Sequence, residues 1–294
     1  MIVGPTASGK SALALNLAKK QPSVIINADS AQVYSDLQIL SARPSEQEMD
    51  GIDHRLYGYI DGAEACSAAR WANDAKTEIA AAHDKNLLPI LVGGTGLYVR
   101  TLLDGIAPIP EISSVIRAQV RDMDVAEAYS ALLLEDPVSA ERLNPRDSSR
   151  IMRALEVVRS SGKPMSHWHA HMAGGIANDI ILRPLVLLPP RDWLYERCDR
   201  RFQIMLDQGA REEVERLLTR DLPKDCPVMR AIGVPEIIAW IEGNSSLDEA
   251  RTQAMAATRQ YAKRQYTWFR NQCPADWPRH DEIINNENMD NIVI

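Results

Sequence analysis

The 294-residue sequence is short of cysteine, of long apolar runs and of positive charge, and each shortage removes a class of function. Its four cysteines, Cys66, Cys198, Cys226 and Cys273, are scattered and form no C-x-x-C pair, so neither a disulfide framework nor a zinc finger is written here. They read as free thiols of a reducing compartment, and the expected location is cytoplasmic. The most apolar late stretch, Ile180 to Leu188, is interrupted by Arg183 and Pro184 and is too short to span a bilayer. No membrane partner is expected. The net charge of −7 excludes a protein that coats nucleic acid indiscriminately. Any RNA contact must come from local basic faces. No G-x-G-x-x-G occurs, which removes the dinucleotide fingerprint, and no internal repeat is present.

What is present is concentrated at the start. Gly4-Pro5-Thr6-Ala7-Ser8-Gly9-Lys10-Ser11 fits G-x-x-x-x-G-K-[ST]. It follows an apolar stub, Met1-Ile2-Val3, and opens an apolar-periodic run from Ser11 to Lys20, the strand–loop–helix context that a phosphate-binding P-loop requires. The backbone N–H groups of such a loop form an anion nest, the helix N-terminus adds partial positive charge, Lys10 supplies a mobile cation and the Ser11 hydroxyl can ligate Mg²⁺. With the loop beginning at Gly4, no signal peptide is expected. The stub is short for a central strand, which normally needs about five residues, so a few native residues are expected before Met1.

Downstream the chain alternates. Val24–Ile26 reads as a second strand, His54–Ile60 as a weak one, Ala65–Lys85 as a helix and Leu87–Val92 as a buried strand closed by Gly93-Gly94. From Ala107-Pro-Ile-Pro110 to about Asn178 only helices are expected: 114–122, 125–134, 137–142 and 146–161. Ile181–Leu188 then returns as a strand, and helices follow at 191–208, 210–219, 235–242 and 247–269. The fold class is α/β, a P-loop, kinase-like parallel sheet core interrupted by a helical insertion, with C-terminal helices packed on the core. The expected domains are 1–110 with 180–275 for the core, 111–179 for the insertion, and 276–294 as a loose polar tail.

Several constellations could carry chemistry. Asp29, nineteen residues after Lys10, falls at the carboxyl end of the second strand, the edge where open α/β sheets bind ligands. It can accept a proton, cap a helix or serve as an outer-shell Mg²⁺ ligand. Gly93-Gly94-Thr95-Gly96 closes a strand where most P-loop kinases place a metal-holding aspartate; that absence weakens a kinase reading, although the glycines also fit a plain tight turn. Arg146, Arg150 and Arg153 share one helix face, and Arg259, Lys263 and Arg270 share another, with Arg264 alongside and Tyr266, Trp268 and Phe269 interleaved. Such faces hold RNA or simply face water. Arg197 and Arg201 are placed either to reach the P-loop anion or to pair with Glu196 or Asp199. His167, His169 and His171 suggest a metal only faintly, in what reads as an exposed loop.

Five blocks in order resemble one family: the P-loop, Asp29-Ser30-Ala31-Gln32-Val33-Tyr34, Leu91-Val-Gly-Gly-Thr-Gly-Leu-Tyr98, Arg150-Ile-Met-Arg-Ala-Leu-Glu156 and Thr258 to Arg270. Over residues 1 to 272 the chain is similar to bacterial tRNA dimethylallyltransferases. The resemblance implies transfer of a dimethylallyl group from dimethylallyl diphosphate to N6 of the adenine 3′ of a tRNA anticodon. It also implies a Mg²⁺ requirement and an insertion closing over the anticodon arm. It assigns Asp29 as the base, with Thr95 and Arg201 beside it, and Gly4, Pro5, Thr6, Ala7, Ser8, Gly9, Lys10 and Ser11 as the diphosphate cradle, Ser11 also meeting Mg²⁺. It assigns tRNA contacts to Asp29, Ser30, Ala31, Gln32, Thr95, Arg117, Ser149, Arg150, Ile151, Met152, Arg153, Arg230, Gly233, Lys263, Arg264 and Arg270. A monomer is expected. One departure stands out: many members have tyrosine after the glycine of the 230 block, whereas Val234-Pro235 follows Gly233 here. The rival readings are prenylation of free adenine nucleotide and a small-molecule P-loop kinase.

Overall fold

The computed structural model describes residues 1–285 and 287–292. It divides into two compact units, residues 1–100 with the described residues from 181 onward, and residues 101–180.

The first unit is built on six parallel strands. They are β1 (Ile2–Val3), β2 (Ser23–Asn27), β3 (Asp53–Arg55), β4 (Leu88–Gly93), and, after two strands of the second unit, β7 (Leu185–Leu187) and β8 (Arg279–His280), in the order β3-β2-β4-β1-β7-β8. The two-residue β1 lies in the middle, pairing Ile2 with Val92 and Leu185. The interior strands β2, β4 and β7 are apolar at nearly every position because a parallel sheet is covered on both faces. Their carboxyl ends gather Gly4, Ala28-Asp29 and Gly93-Gly94 along one edge.

Helices cover the sheet: α1 (Lys10–Ala18), the single turn α2 (Glu46–Met49), α3 (Ala68–Asp84) and α4 (Gly96–Asp104). Leu13, Ile25, Val92 and Leu187 meet in one buried cluster. Trp71 of α3 stacks on Tyr98 of α4 at 4.5 Å, so Tyr98 serves the core.

The second unit holds β5 (Gly105–Ile106), α5 (Ser114–Arg121), α6 (Val125–Glu135), α7 (Pro137–Arg142), α8 (Ser148–Ser161), α9 (Met165–His169) and β6 (Ala173–Gly174). Its core is Val120, Leu132, Ile151 and Leu155. It begins about ten residues earlier than Pro110, because β5 pairs antiparallel with β6 and ties both ends of the unit together. The histidine segment, expected as a loop, forms the short helix α9, and among the described residues no cluster that could hold a metal ion is found.

The chain then adds α10 (Arg191–Asp207), α11 (Ala210–Leu218), α12 (Val234–Ile241) and the long α13 (Leu247–Gln272) to the first unit. A capping box, Ser246 with Glu249, starts α13. The segment beyond Cys273 is not the loose tail its composition predicts. Arg279–His280 adds the edge strand β8, Ile284 and Met289 join the core cluster beside α1, and Asp290 pairs with Lys20 at 2.8 Å. Its few apolar residues are spaced to reach that core, which overall polarity hides. Residues 286, 293 and 294 of the expected tail lie outside the described residues.

Candidate active site

The P-loop turns where its sequence allows. Gly4 packs so tightly on β7 that a Cβ would strike the Leu187 carbonyl, and Ala7 (φ 63°) and Gly9 (φ 96°) take left-handed conformations. Helix α1 starts with no side-chain cap and no acid in its first turn. First-turn N–H groups have no intrahelical acceptor, so this uncapped end offers them to an anion. The Ser8 hydroxyl is buried at 1% exposure and finds no partner.

Two cations converge on the loop. Lys10 Nζ donates to the Pro5 carbonyl at 2.6 Å, and Arg201 Nη2 of α10 donates to Thr6 Oγ1 at 2.5 Å. Burial lowers the Lys10 pKa from 10.5 to about 8; attraction to Asp29 opposes that shift and repulsion from Arg201 adds to it. Burial also lowers the Arg201 pKa, with Asp29 among the groups opposing the shift. Neither alternative ion pair expected for Arg201 forms, and Asp199 instead grips Arg259 at 2.6 Å. Arg197 lies over the Trp193 ring at 4.7 Å.

Asp29 is held by its neighbours. Its N–H donates to Asn27 Oδ1 at 2.9 Å, and its own Oδ1 accepts the Ala31 N–H at 2.9 Å. Asn27 is fully buried, donates to the Asp29 and Leu56 carbonyls, and receives Trp71 Nε1 on its own carbonyl. Thr95 Oγ1 accepts the Ser30 N–H at 2.9 Å and donates to Ser30 Oγ at 3.1 Å. Thr95 thus fixes the turn that carries Asp29 and does not line the cavity beside it.

That cavity, about 520 Å³, is walled by Thr6, Asp29, Tyr34, Arg201, Phe202, Arg230, Tyr261 and Arg264. It places a carboxylate, a P-loop residue and an arginine around one apolar-sided space. Glu213 of α11 supports its rim: the buried carboxylate accepts the N–H groups of Gln38, Ile39 and Leu40 at 2.7 to 2.9 Å, and Leu40 lines the cavity. Gln32 is occupied too, donating to the Ser41 and Ala42 carbonyls.

The expected RNA contacts separate on inspection. Lys263, Arg264 and Arg270 are exposed on α13, with Arg264 over the Tyr261 ring at 5.7 Å. The interleaved aromatics serve packing instead: Phe269 is buried, and Trp268 fills the space above Gly96. In the helical unit Arg117, Ser149, Arg150 and Arg153 are surface residues, with Arg150 near Asp147 and Arg153 near Glu156. Ile151 is a correction: its side chain is fully buried in that unit's core and offers no surface contact, while Met152 is half-buried against the same core. Arg230 donates to the Asp225 carbonyl and lines the cavity. Gly233, at φ 97°, starts α12, and Val234 is buried.

Sequence reasoning missed Asn27 and Glu213, and it placed Gln265 only inside the Thr258 to Arg270 block, among residues expected to meet tRNA. Gln265 is buried on α13, where its Oε1 accepts the Thr6 N–H at 2.8 Å and its Nε2 donates to the Gly94 carbonyl at 2.9 Å. A polar residue closing an apolar strand was the signal available for Asn27. Nothing local marked Glu213, and the block around Gln265 did not reveal that its side chain turns inward.

A parallel sheet with a P-loop after β1, a fixed carboxylate after β2 and a cavity lined from both defines a P-loop protein of the α/β class. The IPP transferase family matches residues 32–272, and the chain belongs to it. It is 58% identical to a tRNA dimethylallyltransferase of Sphingopyxis alaskensis, covering 100% of this chain and 96% of that one. It is similar to the crystal structure of a tRNA isopentenylpyrophosphate transferase of Bacillus halodurans, with a TM-score of 0.69 and 32% identity over 98% of this chain and 91% of that one. A eukaryotic dimethylallyltransferase seen acting on tRNA superposes with a TM-score of 0.77 at 28% identity, over 91% of this chain and 68% of that one. No helix among the described residues is long and apolar enough to cross a membrane.

Proposed function

We propose that the protein transfers the dimethylallyl group of dimethylallyl diphosphate to N6 of the adenine 3′-adjacent to a tRNA anticodon, releasing diphosphate. The carrying observation is the single cavity shared by Asp29, Thr6 and Arg201. Breaking the allylic C–O bond leaves positive character on carbon and builds negative charge on the diphosphate. The P-loop N–H groups, the unpartnered Ser8 hydroxyl, Lys10 and Arg201 are placed to take that charge. The adenine amine is a weak nucleophile because its lone pair is spread into the ring. Asp29 accepts its proton as the C–N bond forms.

Ser11 is exposed near the start of α1 and lines a cleft with Glu48, Asp50 and Tyr57, not the cavity of Asp29, so support for Mg²⁺ is limited to its hydroxyl. The Ser11 hydroxyl is the one protein ligand the reading assigns. Mg²⁺ normally keeps several waters and binds through few protein groups plus substrate phosphates. When bound it supplies charge neutralisation on the leaving group. The adenine must leave its stack to enter the cavity, at a cost of a few kcal/mol. Phosphate contacts from Arg117, Arg150, Arg153, Lys263, Arg264 and Arg270 compensate.

The test is incubation with dimethylallyl diphosphate, Mg²⁺ and unmodified tRNA, followed by mass analysis of the digested nucleosides. One added isoprene unit on a single tRNA adenosine is expected. Modification of free adenine nucleotide with none on tRNA would sink the reading.

A further inference from the structure

The P-loop and the Gly-Gly-Thr-Gly turn sit at the ends of neighbouring strands, β1 and β4. Beyond the strands' last ladder bonds, one side chain joins them. Gln265 Oε1 accepts from the Thr6 N–H and its Nε2 donates to the Gly94 carbonyl, at 2.8 and 2.9 Å. One partner can only donate and the other can only accept, so the amide has a single satisfied orientation. Gln265 is 5% exposed, its bond to Gly94 is buried and its bond to Thr6 partly so, and loss of the amide would strand the Gly94 carbonyl away from water and leave the Thr6 N–H without this partner. Gly94 is shaped to admit it: a Cβ there would collide with Gln265 Nε2.

Each end of the strut meets the chemistry. Thr6 is held twice, its N–H by Gln265 and its hydroxyl by Arg201. Thr95, next to Gly94, fixes Ser30 beside Asp29. The strut therefore spans from the diphosphate cradle to the turn that carries the carboxylate. The residues before it, Lys263 and Arg264, are exposed on the same helix.

We infer that Gln265 is a positioning residue, not a tRNA contact, and that it sets the distance between the P-loop and the Asp29 turn. The inference rests on the reading of the site given above. An error of about 1 Å in such a distance can cost a hundredfold in rate. A residue that only stabilised the fold would reduce the number of working molecules without changing what each one does.

Gln265→Met keeps the length and removes both hydrogen bonds. With active sites titrated by labelled dimethylallyl diphosphate, single-turnover tRNA prenylation per site is expected to fall about 30- to 100-fold, with tRNA affinity within about twofold of the unaltered protein. Affinity for dimethylallyl diphosphate alone, measured without tRNA, is expected to weaken about tenfold. Gln265→Asn, too short by one methylene to reach both partners, is expected to lose rate by an intermediate factor. It carries the same criteria should the Met variant not fold. A rate per titrated site within twofold, or a tRNA affinity that falls as far as the rate, overturns the inference. Absence of tRNA prenylation by the unaltered protein would instead refute the proposed function, and the diphosphate affinities would still decide the role of Gln265.

Discussion

Raising the pH should weaken the grip on dimethylallyl diphosphate, and Lys10 sets the amount. Its pKa is lowered to about 8, first by burial, and the diphosphate selects the charged ammonium. A ligand that binds one protonation state loses affinity in proportion to that state's population. About nine-tenths of Lys10 is charged at pH 7 and about one-tenth at pH 9, so the dissociation constant should rise about tenfold across that interval. The ligand contributes little to this change, since the last proton of a phosphate monoester leaves near pH 6. The direction is fixed: the free site loses charge as pH passes 8, while bound diphosphate holds the proton on. Binding at pH 9 should therefore take up close to one proton, about 0.9. Calorimetry without tRNA, in two buffers of different ionisation enthalpy, reads both quantities. Lys10→Met should bind weakly with a flat profile between pH 7 and 9. A flat profile in the unaltered protein, or a tenfold slope that survives in Lys10→Met, would refute the assignment.

Three further outcomes are expected. Asp29→Asn should cut single-turnover prenylation about a hundredfold or more while tRNA affinity stays within about twofold, and a normal rate would remove Asp29 as the base. Glu213→Gln places an amide N–H₂ against backbone donors that now share a carboxylate, and should cost about 2–4 kcal/mol in urea unfolding. A loss below about 0.5 kcal/mol would mean that the 38–40 loop is held by other contacts. Arg150→Ala removes an exposed cation whose nearest carboxylate, on Asp147, is 3.5 Å away. It should weaken tRNA binding and flatten the salt dependence by about one unit, and an unchanged slope would count against phosphate contact there.

Local strings made part of this molecule legible. The P-loop announces itself because an anion nest needs glycine at fixed positions. Asp29 could be placed because one helix and one strand separate it from Lys10, so it had to emerge at the same sheet edge. Gln265 could not be placed that way, since its partner Thr6 is 259 residues distant and a glutamine between basic residues reads as surface. Glu213 hides in Ala210-Arg-Glu-Glu-Val, where either glutamate suits an exposed helix face. The basic stripe on α13 was partly illusory for the same reason: Asp199, on another helix, takes Arg259 out of it. Periodicity shows which residues share a face and is silent about what that face meets.

The arrangement of charge explains how a P-loop can serve carbon chemistry. At the end of β4, where a kinase would hold its metal with an aspartate, the chain has Gly-Gly-Thr-Gly, and Gln265 fills the space. The carboxylate that remains, Asp29, shares the cavity with Arg201, and its charge acts on both Arg201 and Lys10. In the proposed reaction a diphosphate entering the P-loop is the partner of Lys10 and Arg201. Those two cations then serve the leaving anion, while Asp29 is held at the cavity by Asn27 and the Ala31 N–H, so the base is positioned independently of the groups that hold the diphosphate.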